Sequence, residues 1–206
     1  IARAAACPDK DKADLIYRMI VLGLHLKDGH RITGMLGDPV MQRMFELGRK
    51  AGNIAMRYIE IIRFQELDSG ALLAVIDPEA DVLALIAPHF FNRLPLENWM
   101  IYDRRRQKAV IHPAGKGWFL VEEVDERSVL EAEMSHEEAR YGELWKCFFK
   151  TLTIEARVNQ KLQTSLIPLK YRDFMKEFQN ESLREDCEKC QNRETKQEHE
   201  KQISQE

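Results

Sequence analysis

The stretch MRYIEIIRFQELDSGALLAVIDPEADVLALIAPHFFNRLPLENWMIYD, residues 56–103, decides the fold of this chain. Two segments rich in β-branched and apolar residues, 59–67 and 71–77, flank a turn sequence at 68–70, a pattern typical of a β-hairpin. Asp77 and Pro78 then predict a helix cap and a first helical turn. Strands and helices therefore alternate here within one short stretch.

Outward from this stretch, apolar periodicity and cap signals predict further elements. Helices are expected over 11–26, over 39–57 with Asp38 as its cap, and from Asp77 onward with Leu83, Ile86 and Phe90 buried. Strands are expected over 99–103, 108–112 and 117–123. These elements predict an α+β fold, with an antiparallel sheet of about five strands packed against several helices in a single domain.

Three regions are expected along the chain, of which composition delimits only the last. Residues 1–37 are expected to form a helical part that is cut at its start, 38–178 the α+β core, and 179–206 a charged, disordered tail. The tail holds the CxxC pair Cys187 and Cys190, which lacks further ligands at zinc-site spacing. With no apolar run long enough for a membrane and few cysteines, we expect a cytoplasmic protein without metal or cofactor.

A helix beginning near Ser135 carries an aromatic stripe. Ser135 and Glu138 have the spacing of a capping box. The apolar residues that follow share one side of a helix: Tyr141, Leu144, Trp145, Phe148, Phe149 and Leu152. Such a stripe can stack on nucleic-acid bases, but its regular spacing favours burial in the core.

A few polar residues are candidates for a catalytic site. His89 and Asp103, with Glu66, are candidates for a catalytic site in a cleft between the third helix and the sheet. Asp103 and His112 are expected at opposite ends of one hairpin ladder and therefore not to form a dyad. No sequence signature of the common enzyme classes accompanies these residues.

Basic residues occur in two clusters that can bind phosphates. The first cluster follows a predicted strand and comprises Arg104, Arg105, Arg106 and Lys108. The second follows the aromatic stripe and includes Arg157, Lys161, Lys170 and Arg172. The alternative is an ordinary solvated surface whose cations pair with nearby acids.

Several short motifs, in a fixed order, resemble a bacterial domain family of unknown function. They are Arg63-Phe64-x-Glu66-Leu67, Asp77-Pro78, His89-Phe90 with Arg93, Trp99 and Asp103 followed by Arg104 and Arg105, and finally Arg157, Asn159, Leu162, Gln163, Pro168, Lys170 and Tyr171. Tyr102 stands where the family often has histidine, and Ala156 and Gln160 also depart from its pattern.

Members of that family are labelled as DNA metabolism proteins. The resemblance implies a companion role beside a radical SAM protein of DNA modification or repair, and related domains are fused to uracil-DNA-glycosylase-like domains. Our leading hypothesis is an accessory protein that binds DNA phosphates through the two basic clusters while the radical SAM partner acts. The alternatives are an enzyme acting on a nucleic-acid base or phosphate and a protein-interaction module that does not contact DNA.

Overall fold

The computed structural model describes residues 1–131, 133–153, 159–172, 175 and 178. The chain forms two compact units, Ile1–Glu138 and Ala139–Glu206. The helices are α1 Ala2–Ala6, α2 Lys12–His25, α3 Pro39–Ile61, α4 Leu83–Arg93, α5 Glu126–Leu130, α6 His136–Leu152, α7 Gln160–Leu166 and α8 Leu169–Arg172, with a 3-10 helix at Gly29–Gly34. The strands are β1 Gln65–Glu66, β2 Leu72–Ile76, β3 Trp99–Asp103, β4 Lys108–His112 and β5 Phe119–Val121.

The predicted tail, 179–206, lies outside the described residues, and so does its pair Cys187 and Cys190. The proposed boundaries of the three regions remain predictions. Among the described residues, no helix combines the length and the apolar character needed to cross a membrane.

The sheet lies in the first unit and has the strand order β1-β2-β3-β4-β5. This arrangement confirms the α+β class. The five strands form a mostly antiparallel sheet as predicted, with one departure: β2 and β3 pair in parallel. The segment between them contains α4. This helix returns the chain to the end of the sheet at which β2 began, so β3 runs in the same direction as β2.

The boundary between α3 and β1 differs from the prediction. Asp38 caps α3 as expected, since its Oδ1 accepts hydrogen bonds from the backbone N–H groups of Val40 and Met41. The helix then continues to Ile61, past the residue at which a strand was predicted to begin. Tyr58 and Ile61 extend the buried face of α3, and this burial overrides the strand preference of the isoleucines.

The start of α4 is also corrected. Asp77 does not cap it, because the helix begins only at Leu83. The three residues predicted to be buried on this helix, Leu83, Ile86 and Phe90, are buried. Asp77 is therefore available for another partner.

The central strand β3 is buried on both faces. Trp99 and Ile101 lie on one face with almost no solvent exposure. Tyr102 lies on the other, in a cluster with Leu73 and with Val129 of α5. A strand buried on both sides fixes its register firmly, because a slip by one residue would exchange the two faces. The functional side chains at its carboxyl end are thereby held in place.

Candidate nucleic-acid interface

The first predicted cluster lies in the turn between β3 and β4. We call residues 104–108 the arginine loop. Asp103 and Lys108 form the last register pair of the two strands, so the turn between them is short. Gln107 adopts a left-handed backbone with φ of 52°, and its carbonyl accepts a hydrogen bond from the N–H of Val124. The loop is thus tied to the chain that follows β5.

The first two arginines of the loop are half exposed and bind carboxylates. The Nε of Arg104 donates to Glu126 at the start of α5. Arg105 donates from Nε and Nη2 to both oxygens of Asp77, at 2.8 and 3.2 Å. This two-pronged geometry uses the donors that a phosphate would need. The hydrogen bonds to Glu126 and to Asp77 raise the pKa values of Arg104 and Arg105, respectively.

Arg106 lies deeper and binds Asp103, which is fully buried. Its Nη1 donates to Asp103 Oδ2 at 2.9 Å and to the carbonyl of Pro78 at 2.9 Å, and its Nη2 donates to the carbonyl of Glu79 at 2.6 Å. Burial raises the pKa of the Asp103 carboxyl, while the hydrogen bond and the charge of Arg106 act against that rise. Arg106 therefore joins β3 to the segment between β2 and α4.

Lys108 completes the ionic cluster. Its Nζ lies 2.8 Å from a carboxylate oxygen of Glu122 and 3.7 Å from one of Asp81. The hydrogen bond from Lys108 lowers the pKa of Glu122. The four cations of the loop thus face five carboxylates, those of Asp77, Asp81, Asp103, Glu122 and Glu126. A cluster with this balance presents no surplus of positive charge to a polyanion.

The aromatic stripe on α6 is a second surface at which the structure departs from the sequence prediction. Half of the predicted capping box is confirmed, because Ser135 Oγ accepts from the N–H of Glu138 at 3.0 Å. The Glu138 carboxylate instead accepts from the N–H of Glu66, and the N–H of Ser135 donates to the Glu66 carbonyl. The prediction that the stripe is buried in the core is wrong: Tyr141 is 63% exposed, Trp145 44% and Phe148 54%. Regular spacing shows that side chains share a face, but another element must also cover that face, and the described residues leave it open.

We call Tyr141, Leu144, Trp145, Phe148 and Leu152 the aromatic face, since all five are exposed along one side of α6. The rings of Trp145 and Phe148 lie 5.9 Å apart between centroids, with their planes inclined by 32°. Tyr141 precedes Trp145 by one helical turn, or about 6 Å along the axis. The three rings therefore follow each other along about two turns of helix.

The second basic cluster belongs to the same unit as most of α6. Residues 140–180 hold eight basic and four acidic residues. Arg140 on α6 and Lys161 on α7 are exposed and have no ionic partner in the part of the chain that the structure describes. Arg157 lies outside the described residues.

The remaining two predicted cations of this cluster are engaged locally. Lys170 Nζ lies 5.1 Å from the centroid of the Tyr171 ring. Arg172 lies over the ring of Phe178 at 4.8 Å and donates to the carbonyl of Ile167 at 3.3 Å. Cation–π contacts of this kind are compatible with continued contact to solvent.

The three candidate catalytic residues lie on three elements of the first unit, β1, α4 and β3. Glu66 is exposed on β1, at the level of Trp99, whereas Asp103 lies at the far end of β3. Two strand spacings and four residues separate them, which corresponds to about 16 Å. His89 is exposed on α4 beside Phe90, and the Phe90 ring packs 6.4 Å from that of Trp99.

The expectation that Asp103 and His112 do not form a dyad is confirmed, because His112 pairs with Trp99 at the opposite end of the ladder. The rings of Trp99 and His112 stack at 5.1 Å. His112 Nδ1 is 2.9 Å from the carbonyl of Glu97, which assigns the proton to Nδ1. No group of three or more His, Cys, Asp or Glu side chains suited to a metal ion occurs among the described residues.

The sequence carried a signal for the open aromatic face that burial arguments missed. The helix after α6 has the sequence QKLQTSL, whose leucines Leu162 and Leu166 are themselves exposed. A short helix with two exposed leucines offers little apolar surface to cover five large side chains. The composition of the following segment was thus a better guide than the spacing within α6.

Of the comparisons with known proteins, only the one with protein families gives a match. Neither the curated proteins nor the solved structures contain a match to this chain. The match to a protein family is extensive and covers residues 10–177, including every described element from α2 to α8. The chain therefore belongs to the family described as Domain of unknown function (DUF4130).

Proposed function

We propose that the chain is an accessory protein of DNA metabolism that binds single-stranded DNA. In this proposal bases stack on Tyr141, Trp145 and Phe148 of the aromatic face, and cations of the same segment neutralise phosphates. The observation that carries it is the exposure of these three rings in a segment with a surplus of basic residues. Unpaired bases stack on aromatic side chains whatever their sequence, so such a face needs no base-specific hydrogen bonds.

The energy available from this face is substantial. Each base–aromatic stack contributes about 1–3 kcal/mol when measured by substitution with alanine. Exposed apolar side chains of this size, gathered on one helix, are uncommon on a protein surface without a partner. Arg140 and Lys161, which are exposed and have no ionic partner among the described residues, supply positive charge in the same segment of the chain. Stacking and charge together are the two components of single-strand recognition.

The family resemblance supplies the biological context of the proposal. A companion radical SAM enzyme of DNA modification or repair would carry out the chemistry in the cytoplasm, while this chain holds the strand. Two of its own candidates for catalysis, Asp103 and Glu66, lie about 16 Å apart in the first unit, so the geometry favours binding over turnover.

A second candidate function is phosphate binding at the arginine loop. The observation that favours it is that the side chains of Arg104 and Arg105 remain 50% exposed. Exposed ion pairs of this kind contribute little to stability, so a phosphate can compete for the guanidinium groups. The five carboxylates around the loop oppose this competition, and we therefore rank it below the aromatic face.

The test is fluorescence anisotropy of a labelled oligothymidylate with the full chain at low and moderate salt. Single substitutions Tyr141→Ala, Trp145→Ala and Phe148→Ala should each weaken binding by roughly tenfold, as the loss of one stack predicts. Affinity should also fall as salt rises, because each neutralised phosphate releases counterions. Duplex DNA of the same length should bind more weakly, since its bases are already stacked.

The matched control is Tyr17→Ala, which removes a tyrosine on α2 that is 67% exposed. It should leave the affinity unchanged. Equal loss in Tyr17→Ala and Tyr141→Ala would reject the aromatic face as the binding site. No binding of any oligonucleotide would reject the DNA proposal. Capture of the radical SAM partner without DNA, lost in Trp145→Ala, would then support the interaction module.

A further inference from the structure

A groove of about 740 Å³ runs along α3 in the first unit, away from the arginine loop. Its walls are rich in methionine and aliphatic side chains, among them Met19, Met41, Met44, Met56 and Leu85. A cavity of this size is typical of small-molecule sites, which combine apolar walls with a few polar groups. Methionine side chains adapt to apolar ligands of irregular shape.

Two arginines line the groove, Arg3 from α1 and Arg49 from α3. No acidic residue lines it, and neither arginine has an ionic partner among the residues that the structure describes. Arg43, also on α3, shows the contrast: its guanidinium binds Asp9 and Glu46, both at 2.9 Å. Unpaired guanidinium groups beside an apolar cavity favour an anionic ligand.

Arg3 lies close to two glycines of α3. A Cβ added at Gly48 would lie 3.7 Å from Arg3 Cβ, and one added at Gly52 would lie 3.7 Å from Arg3 Nη1. The side chain of Arg3 therefore lies across this part of α3, with the guanidinium over Gly52. A larger residue at position 52 would reduce the space around that guanidinium.

We infer that this groove binds an amphipathic anion, an elongated apolar molecule ending in a carboxylate or phosphate group. The apolar body packs against the methionines, while Arg3 and Arg49 donate hydrogen bonds to the anionic group. The inference is independent of DNA binding, because no described residue of α6 lines the groove.

The experiment is isothermal titration calorimetry of the full chain with three probes: decanoate, decanol and acetate. Decanoate carries both parts of the inferred ligand, decanol only the apolar body, and acetate only the charge. Decanoate should bind with one molecule per chain and at least roughly tenfold more tightly than decanol, the value of one charge-assisted hydrogen bond. Acetate should not bind measurably.

Variants locate the site. Arg3→Gln and Arg49→Gln should each weaken decanoate binding by about tenfold and leave decanol binding unchanged. Arg43→Gln is the control, since its arginine lies on the same helix but does not line the groove. Circular dichroism establishes that each variant is folded. Equal affinity for decanoate and decanol, unchanged binding in Arg3→Gln/Arg49→Gln, or no binding of decanoate would overturn the inference.

Discussion

The arginine loop and the aromatic face each differ from what their sequences suggest. The loop has the composition of a phosphate site, yet each of its cations contacts at least one carboxylate. The aromatic face has the spacing of a core helix, yet its rings are exposed. Residue type and helical spacing describe only one of the two surfaces in a contact. The function of a surface also depends on which residues, if any, pack against it.

The largest effect is expected from Arg106→Leu. The substitution leaves the Asp103 carboxylate buried without its cation and removes the donors to the carbonyls of Pro78 and Glu79. Breaking a buried ion pair on one side costs about 3 kcal/mol of unfolding free energy. Urea denaturation measures this loss. Arg106→Lys, which keeps the charge but not the planar array of donors, should lie between wild type and Arg106→Leu.

An unchanged unfolding midpoint in Arg106→Leu would contradict the view that the loop is a structural ionic cluster. It would leave Arg106 available to a ligand, and the arginine loop would then be an open surface like the aromatic face of α6.

The second effect concerns pH. Burial raises the pKa of Asp103 in the folded state, so the native protein retains this proton at pH values where the unfolded chain has released it. Stability therefore falls as pH rises from about 3.9, the ordinary Asp value, through the raised pKa. Asp103→Asn cannot titrate at this position. The unfolding free energy of wild type minus that of Asp103→Asn should decrease across this window and level off above it.

Urea denaturation of both proteins at several pH values gives this difference directly. A difference that increases with pH would mean that Arg106 dominates and that the pKa of Asp103 is lowered rather than raised.

Most local elements and the antiparallel pairings were predictable from sequence, whereas the parallel pairing of β2 with β3 was not. The bounds of β3 and β4 match the predicted segments, and Asp38 caps α3 as expected, because these features depend on neighbouring residues. The carboxylates that close the arginine loop come from Asp77 and Glu126, which are 28 and 22 residues from their arginines. The contact of Arg105 with Asp77 depends on the parallel pairing of β2 with β3, which the hairpin prediction did not include, and the contact of Arg104 with Glu126 depends on where α5 packs after β5.

The third effect tests the ranking of the two surfaces directly. The double variant Arg104→Ala/Arg105→Ala removes two half-exposed guanidinium groups that already bind Glu126 and Asp77. Affinity for single-stranded DNA should change by less than about twofold, because these donors are not free to neutralise phosphates. Anisotropy titrations at two salt concentrations provide the measurement. A large loss of affinity with a weaker salt dependence would make the loop the phosphate site.

The smallest effect should come from Leu144→Gln on the aromatic face. An exposed leucine contributes little to the folded state, so the unfolding free energy should stay within about 0.5 kcal/mol of wild type. A leucine in a core would instead cost several kcal/mol, as Leu83→Ala on α4 should, since truncating a buried leucine costs about 2–5 kcal/mol. The two variants, measured by the same urea denaturation, compare an uncovered helix face with a covered one. A cost for Leu144→Gln as large as that for Leu83→Ala would mean that α6 is covered in solution, and DNA would then have no access to its rings.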